Sequence, residues 1–148
     1  MYGTAGGLKD VIKATRISAA VGNDSDEFLE LMLASASAEL DAYLQIYYSV
    51  PIDTTSLDAG KKAALDAYLA QLEYGLTIRA VFSAGKDIPK AAMRYYDHQM
   101  KVLEQIKKGE VFLPYLERTY QKTFGMAGDT ENSLSPTVFR TVRDVSYF

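Results

Sequence analysis

The chain lacks cysteine and tryptophan altogether, and its 148 residues include only one histidine. The absence of cysteine excludes disulfide bonds and thiolate-held metal sites in this chain. No stretch approaches the roughly 18 apolar residues of a membrane-spanning helix, and the first residues contain no apolar run typical of a signal peptide. We therefore expect neither a disulfide-stabilised fold nor a membrane partner.

The side chains that catalysis needs are sparse and poorly spaced. His98 is the sole histidine, and Tyr95 stands three positions before it, so the Glu-x-x-His pair of a helical di-metal site is absent. No serine can be matched to a base other than His98, and the stretch at Gly60 lacks the spacing of a phosphate loop. We expect no enzymatic activity, no metal and no other cofactor, with His98 as a surface or packing residue.

Charge is distributed unevenly along the chain, whose formal net charge is −3. Residues 1–60 hold three basic and nine acidic side chains, whereas residues 61–148 hold thirteen basic and ten acidic ones. A net acidic chain is poorly suited to nonspecific DNA binding, but opposite charge on two parts of a molecule suits head-to-tail association between copies. Solvated helix faces that happen to differ in charge explain the pattern equally well, so both interpretations stay open.

The spacing of apolar residues predicts an all-α fold, a small helical bundle within residues 1–109. The expected elements are a short N-terminal helix at 5–15, a linker at 17–23, and three long helices at 24–49, 57–83 and 87–108. The first long helix begins at Asp24 to Glu27, a stretch typical of a capping box whose acidic first turn suits the helix dipole.

Apolar side chains in each long helix recur every three or four positions, which predicts one buried face per helix. In the first helix they are Leu29, Leu33, Ala36, Leu40, Tyr43 or Leu44, and Tyr47. In the second they are Leu65, Tyr68, Leu69, Leu72, Leu76 and Ala80, and in the third Met93, Tyr96, Met100, Leu103 and Ile106. Gly75 lies inside the second helix and indicates either the close approach of a neighbouring helix or a weak point.

The polar face of the first long helix is expected to carry Glu30, Ser37, Glu39 and Asp41.

Residues 110–132 are interpreted as a connecting segment, in which Pro114 could begin a short helix through Leu116, Tyr120 and Phe124.

Residues 133–148 are rich in β-branched and aromatic side chains and are predicted to be extended. A lone strand has nothing to pair with in a helical domain, so this C-terminal arm either lies on its own domain or reaches a partner by strand addition or groove docking. We favour a partner. The residues expected to contact it are Val138, Phe139, Arg140, Val142, Arg143, Val145, Tyr147 and Phe148.

One segment of the chain resembles a known protein family. The stretch from Ala34 to Leu44, ASASAELDAYL, is followed by Tyr47-Tyr48 and Val50-Pro51-Ile52. This order and spacing is similar to the small head–tail connector proteins of tailed bacteriophages, also called adaptor or head-completion proteins, including their Mu-like branch. With the Lys-Lys-Gly ending at 107–109, the resemblance covers about residues 2–113.

The resemblance implies a helical protomer of a homo-oligomeric ring, expected to hold twelve copies, in the neck of a virion assembled in the host cytoplasm. The ring would bind the portal protein above and a tail or neck protein below, and DNA would pass through its lumen without sequence-specific binding. We expect Glu30, Glu39 and Asp41 at contacts between subunits or in the channel. The alternative is a stand-alone helical regulatory or binding module that forms a small homo-oligomer.

Overall fold

A computed structural model describes residues 1–82 and 89–118, and that part of the chain holds five helices and no strand. The helices are α1 (Ala5–Val11), α2 (Ala14–Val21), α3 (Asp26–Leu44), α4 (Ala59–Phe82) and α5 (Lys90–Lys107). The predicted all-α fold is confirmed. The C-terminal arm, with all eight of its expected contact residues, lies outside the described residues.

Helix α4 is the central element of the bundle. It packs against α3, α5 and α2, while α1 packs against α3. Seven consecutive residues of α4, from Leu72 to Ile78, are buried, so the helix is enclosed on all sides for about two turns. A helix buried all round is a core element rather than an amphipathic surface helix.

Two hydrophobic clusters lie along α4, and each of them contains residues of α3, α4 and α5. The first joins the short helices to one end of the bundle and includes Leu8, Ile17, Leu29, Leu33, Ile78 and Phe82. The second fills the other end and includes Leu40, Leu44, Tyr48, Leu65, Leu69, Leu103 and Leu113.

The predicted apolar face of α3 is confirmed, because Leu29, Leu33, Ala36, Leu40 and Leu44 are all buried. The placement of Ser37 on the polar face was wrong. Ser37 follows Leu33 by four positions and precedes Leu40 by three, so it shares their face and is only 6% exposed.

Helix α3 is shorter than the predicted 24–49. It begins after Ser25, whose hydroxyl accepts a hydrogen bond from the Phe28 N–H, so the cap is Ser25 rather than Asp24. It ends at Leu44 because Tyr48 turns into the core, where its hydroxyl accepts a hydrogen bond from the buried Leu113 N–H at 2.9 Å. Because the chain leaves the helical path before Tyr48, the Tyr48 ring lies between the bundle and the segment after α5.

The predicted single helix at 5–15 and linker at 17–23 were wrong, because the chain forms two short helices there. The backbone is extended at Ile12, whose side chain is buried. The chain then turns back into α2, which buries Ile17 and Ala20. These two residues are three positions apart, so they lie on the same helix face and pack on α4.

Gly75 marks the close approach of a neighbouring helix, one of the two alternatives that the sequence left open. A Cβ atom at Gly75 would lie 2.5 Å from the Cβ of Gln99 on α5. Beside this contact, the Tyr95 hydroxyl donates a hydrogen bond to the Gln71 carbonyl at 3.1 Å. Because Gly75 has no side chain, the backbone of α4 packs directly against the Gln99 side chain of α5.

Two further predictions need correction. Met93 is 47% exposed rather than buried, because Ala92 and Gln99 occupy the inner face of α5 together with Leu103 and Ile106. The described residues from Pro114 to Arg118 form no helix. Tyr115, the residue after Pro114, instead has a positive φ of 65°. The burial of Leu113 holds this segment against the bundle. Tyr120 and Phe124 lie outside the described residues.

Candidate interaction surfaces

A buried carboxylate holds the N-terminal segment in the core. Glu73 of α4 has no exposed surface. Its Oε2 accepts a hydrogen bond from the Tyr2 N–H at 2.7 Å and a second one from the Gly3 N–H. Its Oε1 is buried without a hydrogen-bond partner among the described residues. The backbone before α1 is therefore fixed to the centre of the bundle.

Two tyrosine hydroxyls complete this anchor. The Tyr2 hydroxyl donates to Asp41 Oδ1 at 2.6 Å and accepts from the Ile52 N–H at 3.0 Å, so it links α3 to the loop after it. The Tyr74 hydroxyl accepts from the Thr4 N–H at 3.0 Å, and its ring occupies the space that a side chain at position 3 would need. We call Tyr2, Gly3, Asp41, Glu73 and Tyr74 the N-terminal anchor.

The environment of the anchor changes the proton affinity of its groups. Burial raises the pKa of the Glu73 carboxyl above its ordinary value of 4.5, and the two backbone N–H donors oppose that rise only in part. Burial and the hydrogen bond to Asp41 likewise raise the pKa of Tyr2. The Tyr2 hydroxyl therefore stays protonated and keeps donating to Asp41 at physiological pH.

The three acidic residues expected at subunit contacts or in a channel lie in different environments. Glu39 is partly exposed and forms an ion pair with Arg79 of α4 at 3.3 Å. Asp41 belongs to the anchor. Glu30 is exposed and takes part in no ion pair with another described residue.

The segment after α5 ends on an arginine held between two aromatic rings. The Arg118 guanidinium lies 3.6 Å from the centre of the Phe112 ring and 4.6 Å from that of Tyr47, a cation–π arrangement. It also donates to the Gly109 carbonyl at 3.0 Å. Beside it, Tyr48, Pro51, Ile52 and Leu116 line an apolar pocket of about 180 Å³. Arg118 therefore ties the last described residues after α5 to the bundle.

A larger groove lies between the end of α1 and the start of α5. It has a volume of about 390 Å³. Apolar atoms of Val11, Ile12, Pro89, Ala91 and Ala92 line it, together with Lys13, Arg16 and Lys90. We call this the basic groove. Its three cations form no ion pair with any described residue.

Leu31, an exposed apolar side chain on α3, has acidic neighbours, whose charge is opposite to that of the basic groove. Leu31 is 71% exposed, more than any other large hydrophobic residue in the described part of the chain. Glu27 precedes it by one helical turn and Glu30 by one residue, and both are exposed. We call Glu27, Glu30 and Leu31 the acidic knob.

Sequence reasoning missed Glu73, Arg118 and the basic groove. A signal for Glu73 was present, because it follows Leu69 by four positions and so falls on the apolar stripe of α4, where a carboxylate must find donors. The groove had no local signal, since residues 11–16 and residues 89–92 contribute to it from distant parts of the chain.

Among the described helices, none is both long enough and apolar enough to cross a membrane. The described residues also contain no group of three or more His, Cys, Asp or Glu side chains placed to hold a metal ion. His98 is exposed on α5.

A sequence model of the family described as "Bacteriophage Mu, Gp36" matches residues 2–127. The chain belongs to this family. It is therefore a phage protein, and the match spans all five helices of the bundle. No curated protein and no solved structure matches the chain. For this Mu Gp36 family member, the phage origin that the sequence resemblance implied is thus confirmed.

Proposed function

We propose that this Mu Gp36 family protein is a structural head–tail adaptor, which forms a ring under the portal, joins the capsid to the tail and lets DNA through. No catalytic step is part of this role. Family membership supports a function in the phage particle or its assembly, and the resemblance of residues 2–113 to connector proteins supports the neck as the location.

The observation that carries the proposal is a pair of oppositely charged surfaces on one rigid protomer. The basic groove and the acidic knob are not neutralised by ion pairs within the described residues. A ring is closed by heterologous contacts, in which one surface of each copy meets a different surface of the next. A protomer that carries both complementary surfaces meets that requirement.

The anchored N-terminus supports the same role, because a ring needs protomers of fixed shape. Glu73 ties the first residues to the centre of the bundle, and Tyr2 ties them to α3 and to the loop at Ile52. The portal protein, or a neighbouring or tail subunit, would then receive the C-terminal arm with Phe139, Arg140 and Arg143.

Glu30, Glu39 and Asp41 are the acidic candidates for subunit contacts or the channel of the proposed ring; Asp41 already accepts the Tyr2 hydroxyl, so the exposed Glu30 and the partly exposed Glu39 suit these places better. Cations bind DNA phosphates and release their counterions, so an acidic wall would keep DNA from sticking during passage.

The test of the adaptor role is the mass of the full-length protein, measured alone and with its portal protein. We expect a closed ring of about twelve copies; a monomer or dimer in both samples would instead favour the small regulatory or binding module.

A further inference from the structure

The acidic knob combines an exposed leucine with two exposed carboxylates on α3. Leu31 is 71% exposed, and moving a leucine side chain from water into an apolar surface is favourable. Glu27 lies on the same face of α3, one turn away, and Glu30 is the adjacent residue. A partner for this knob needs an apolar cavity with cations at its rim.

The basic groove has both properties. Its apolar lining comes from Val11, Pro89 and Ala91, and its cations are Lys13, Arg16 and Lys90. Truncating a buried leucine opens a cavity of roughly 150 Å³ in a protein core, so a groove of about 390 Å³ accommodates a leucine and leaves room for the carboxylates beside it.

We infer that the acidic knob of one copy docks into the basic groove of the next copy, with Leu31 on the apolar lining and Glu27 and Glu30 beside Lys13, Arg16 and Lys90. This inference rests on the proposed function and specifies its subunit interface. Because knob and groove are made of different residues, the contact is heterologous and repeats from copy to copy.

A second copy suits the groove better than DNA does. Phosphate contacts would use the three cations, but they would leave the apolar surface of Val11 and Ala91 unpaired. Docking of the acidic knob would bury that surface and place two carboxylates beside the three cations. Complementary charge around an apolar contact is also typical of interfaces in which electrostatics fixes the register.

The lack of native cysteine allows a direct proximity test. Full-length Leu31→Cys protein is mixed with full-length Ala91→Cys protein, and a short bis-maleimide reagent is added. Since each chain carries one thiol, any link between the two variants joins different copies. We expect a strong band of doubled mass in the mixture and weak bands for each variant alone. The matched control replaces Leu31→Cys with Ala63→Cys, an exposed position on α4.

Charge exchange tests the same contact without cross-linking. One variant carries Glu27→Lys and Glu30→Lys, and the other carries Lys13→Glu and Arg16→Glu. Each alone places like charges at every interface, so we expect association to weaken at least tenfold, which corresponds to about 1.4 kcal/mol. An equimolar mixture restores complementary contacts in alternating copies and should assemble again. The control is Glu104→Lys, at an exposed position of α5.

Two outcomes would overturn the inference. One is a ring, seen by mass, that gives no link between positions 31 and 91 and keeps its size in both charge variants; the adaptor role would then survive with a different interface. The other is a wild-type protein that stays monomeric with its portal and gives no link, which would end the proposed function as well. Rescue by mixing, together with the link, supports the inference.

Discussion

Glu73 shows at the scale of one residue how a charged group can be used inside an apolar core. Moving an unpaired carboxylate out of water is costly, but two backbone N–H groups of the N-terminal segment donate to it. The second oxygen lacks a partner among the described residues, so the compensation is incomplete. This explains why the pKa of Glu73 is raised rather than lowered.

The raised pKa of Glu73 predicts how stability depends on pH. At pH values between 4.5 and the folded-state pKa, the folded protein binds more protons at this site than the unfolded chain does. The contribution of Glu73 to the free energy of unfolding is therefore fully present below pH 4.5 and declines as the pH rises through that window. Glu73→Gln removes the titration, so its stability relative to wild type should increase with pH.

Urea unfolding of both proteins between pH 4 and pH 8 measures this difference. A fixed cost of the new amide group shifts the comparison equally at every pH and does not change the trend. The control Glu104→Gln removes an exposed carboxylate of α5 and gives the background. A difference between Glu73→Gln and wild type that stays constant across the range would contradict the account.

Burial on α3 could be predicted residue by residue, whereas the position of Glu73 could not. Leu29, Leu33 and Leu40 repeat at helical spacing, and apolar spacing alone determines which face is buried. The burial of Glu73 depends on Tyr2 and Gly3, which lie 71 and 70 residues away in sequence. Hydrogen-bond donors so far away in sequence produce no recognisable residue pattern within α4 itself.

At the scale of the helices, the contact between α4 and α5 depends on Gly75. A methyl group there would lie 2.5 Å from Gln99 Cβ and 2.9 Å from Gln99 Cγ. Overpacking of this kind costs about 1–3 kcal/mol, and the better helix propensity of alanine offsets up to about 1 kcal/mol. We expect Gly75→Ala to lower the free energy of unfolding by up to about 2 kcal/mol.

Thermal or urea unfolding of Gly75→Ala checks this value. The matched control is Gly6→Ala in α1, where a Cβ atom would meet nothing within 4 Å; it should be neutral or stabilise the protein by about 0.4–1 kcal/mol. If both substitutions stabilised the protein equally, the close packing at Gly75 would be refuted.

The long helices could be predicted from sequence because their periodic pattern extends over many turns. The short helix α2 could not, because its eight residues give a periodic pattern only two turns long. Its formation depends on packing of Ile17 and Ala20 against the core, which supplies most of the stability of short helices. The early end of α3 has the same origin, since Tyr48 leaves the helix to meet Leu113.

At the scale of the whole molecule, the C-terminal arm and the bundle are predicted to have separate tasks. Ending the chain at Asn132 removes residues 133–148, including Phe139, Arg140 and Arg143. We expect the truncated protein to keep the helix content and melting temperature of the full chain but to lose binding to the portal or to its neighbouring partner. Circular dichroism and co-sedimentation measure the two properties, and unchanged partner binding would rule out the docking role of the arm.

The charge asymmetry noticed in the sequence has a more local form in the structure. Lys13 and Arg16 belong to the acidic first part of the chain, yet they lie in the basic groove beside Lys90. Halves of a sequence therefore do not correspond to faces of the molecule, because the fold places the region from the end of α1 to the first turn of α2 beside the start of α5. The general expectation of complementary surfaces could be drawn from sequence, but their composition required the tertiary structure.

The most direct test of the adaptor role is electron microscopy of the purified full-length protein, alone and mixed with its portal protein. Class averages should show closed rings with a central opening, expected to hold about twelve copies, seated on the portal in the mixture. Particles of monomer or dimer size in both samples, with no ring on the portal, would contradict it.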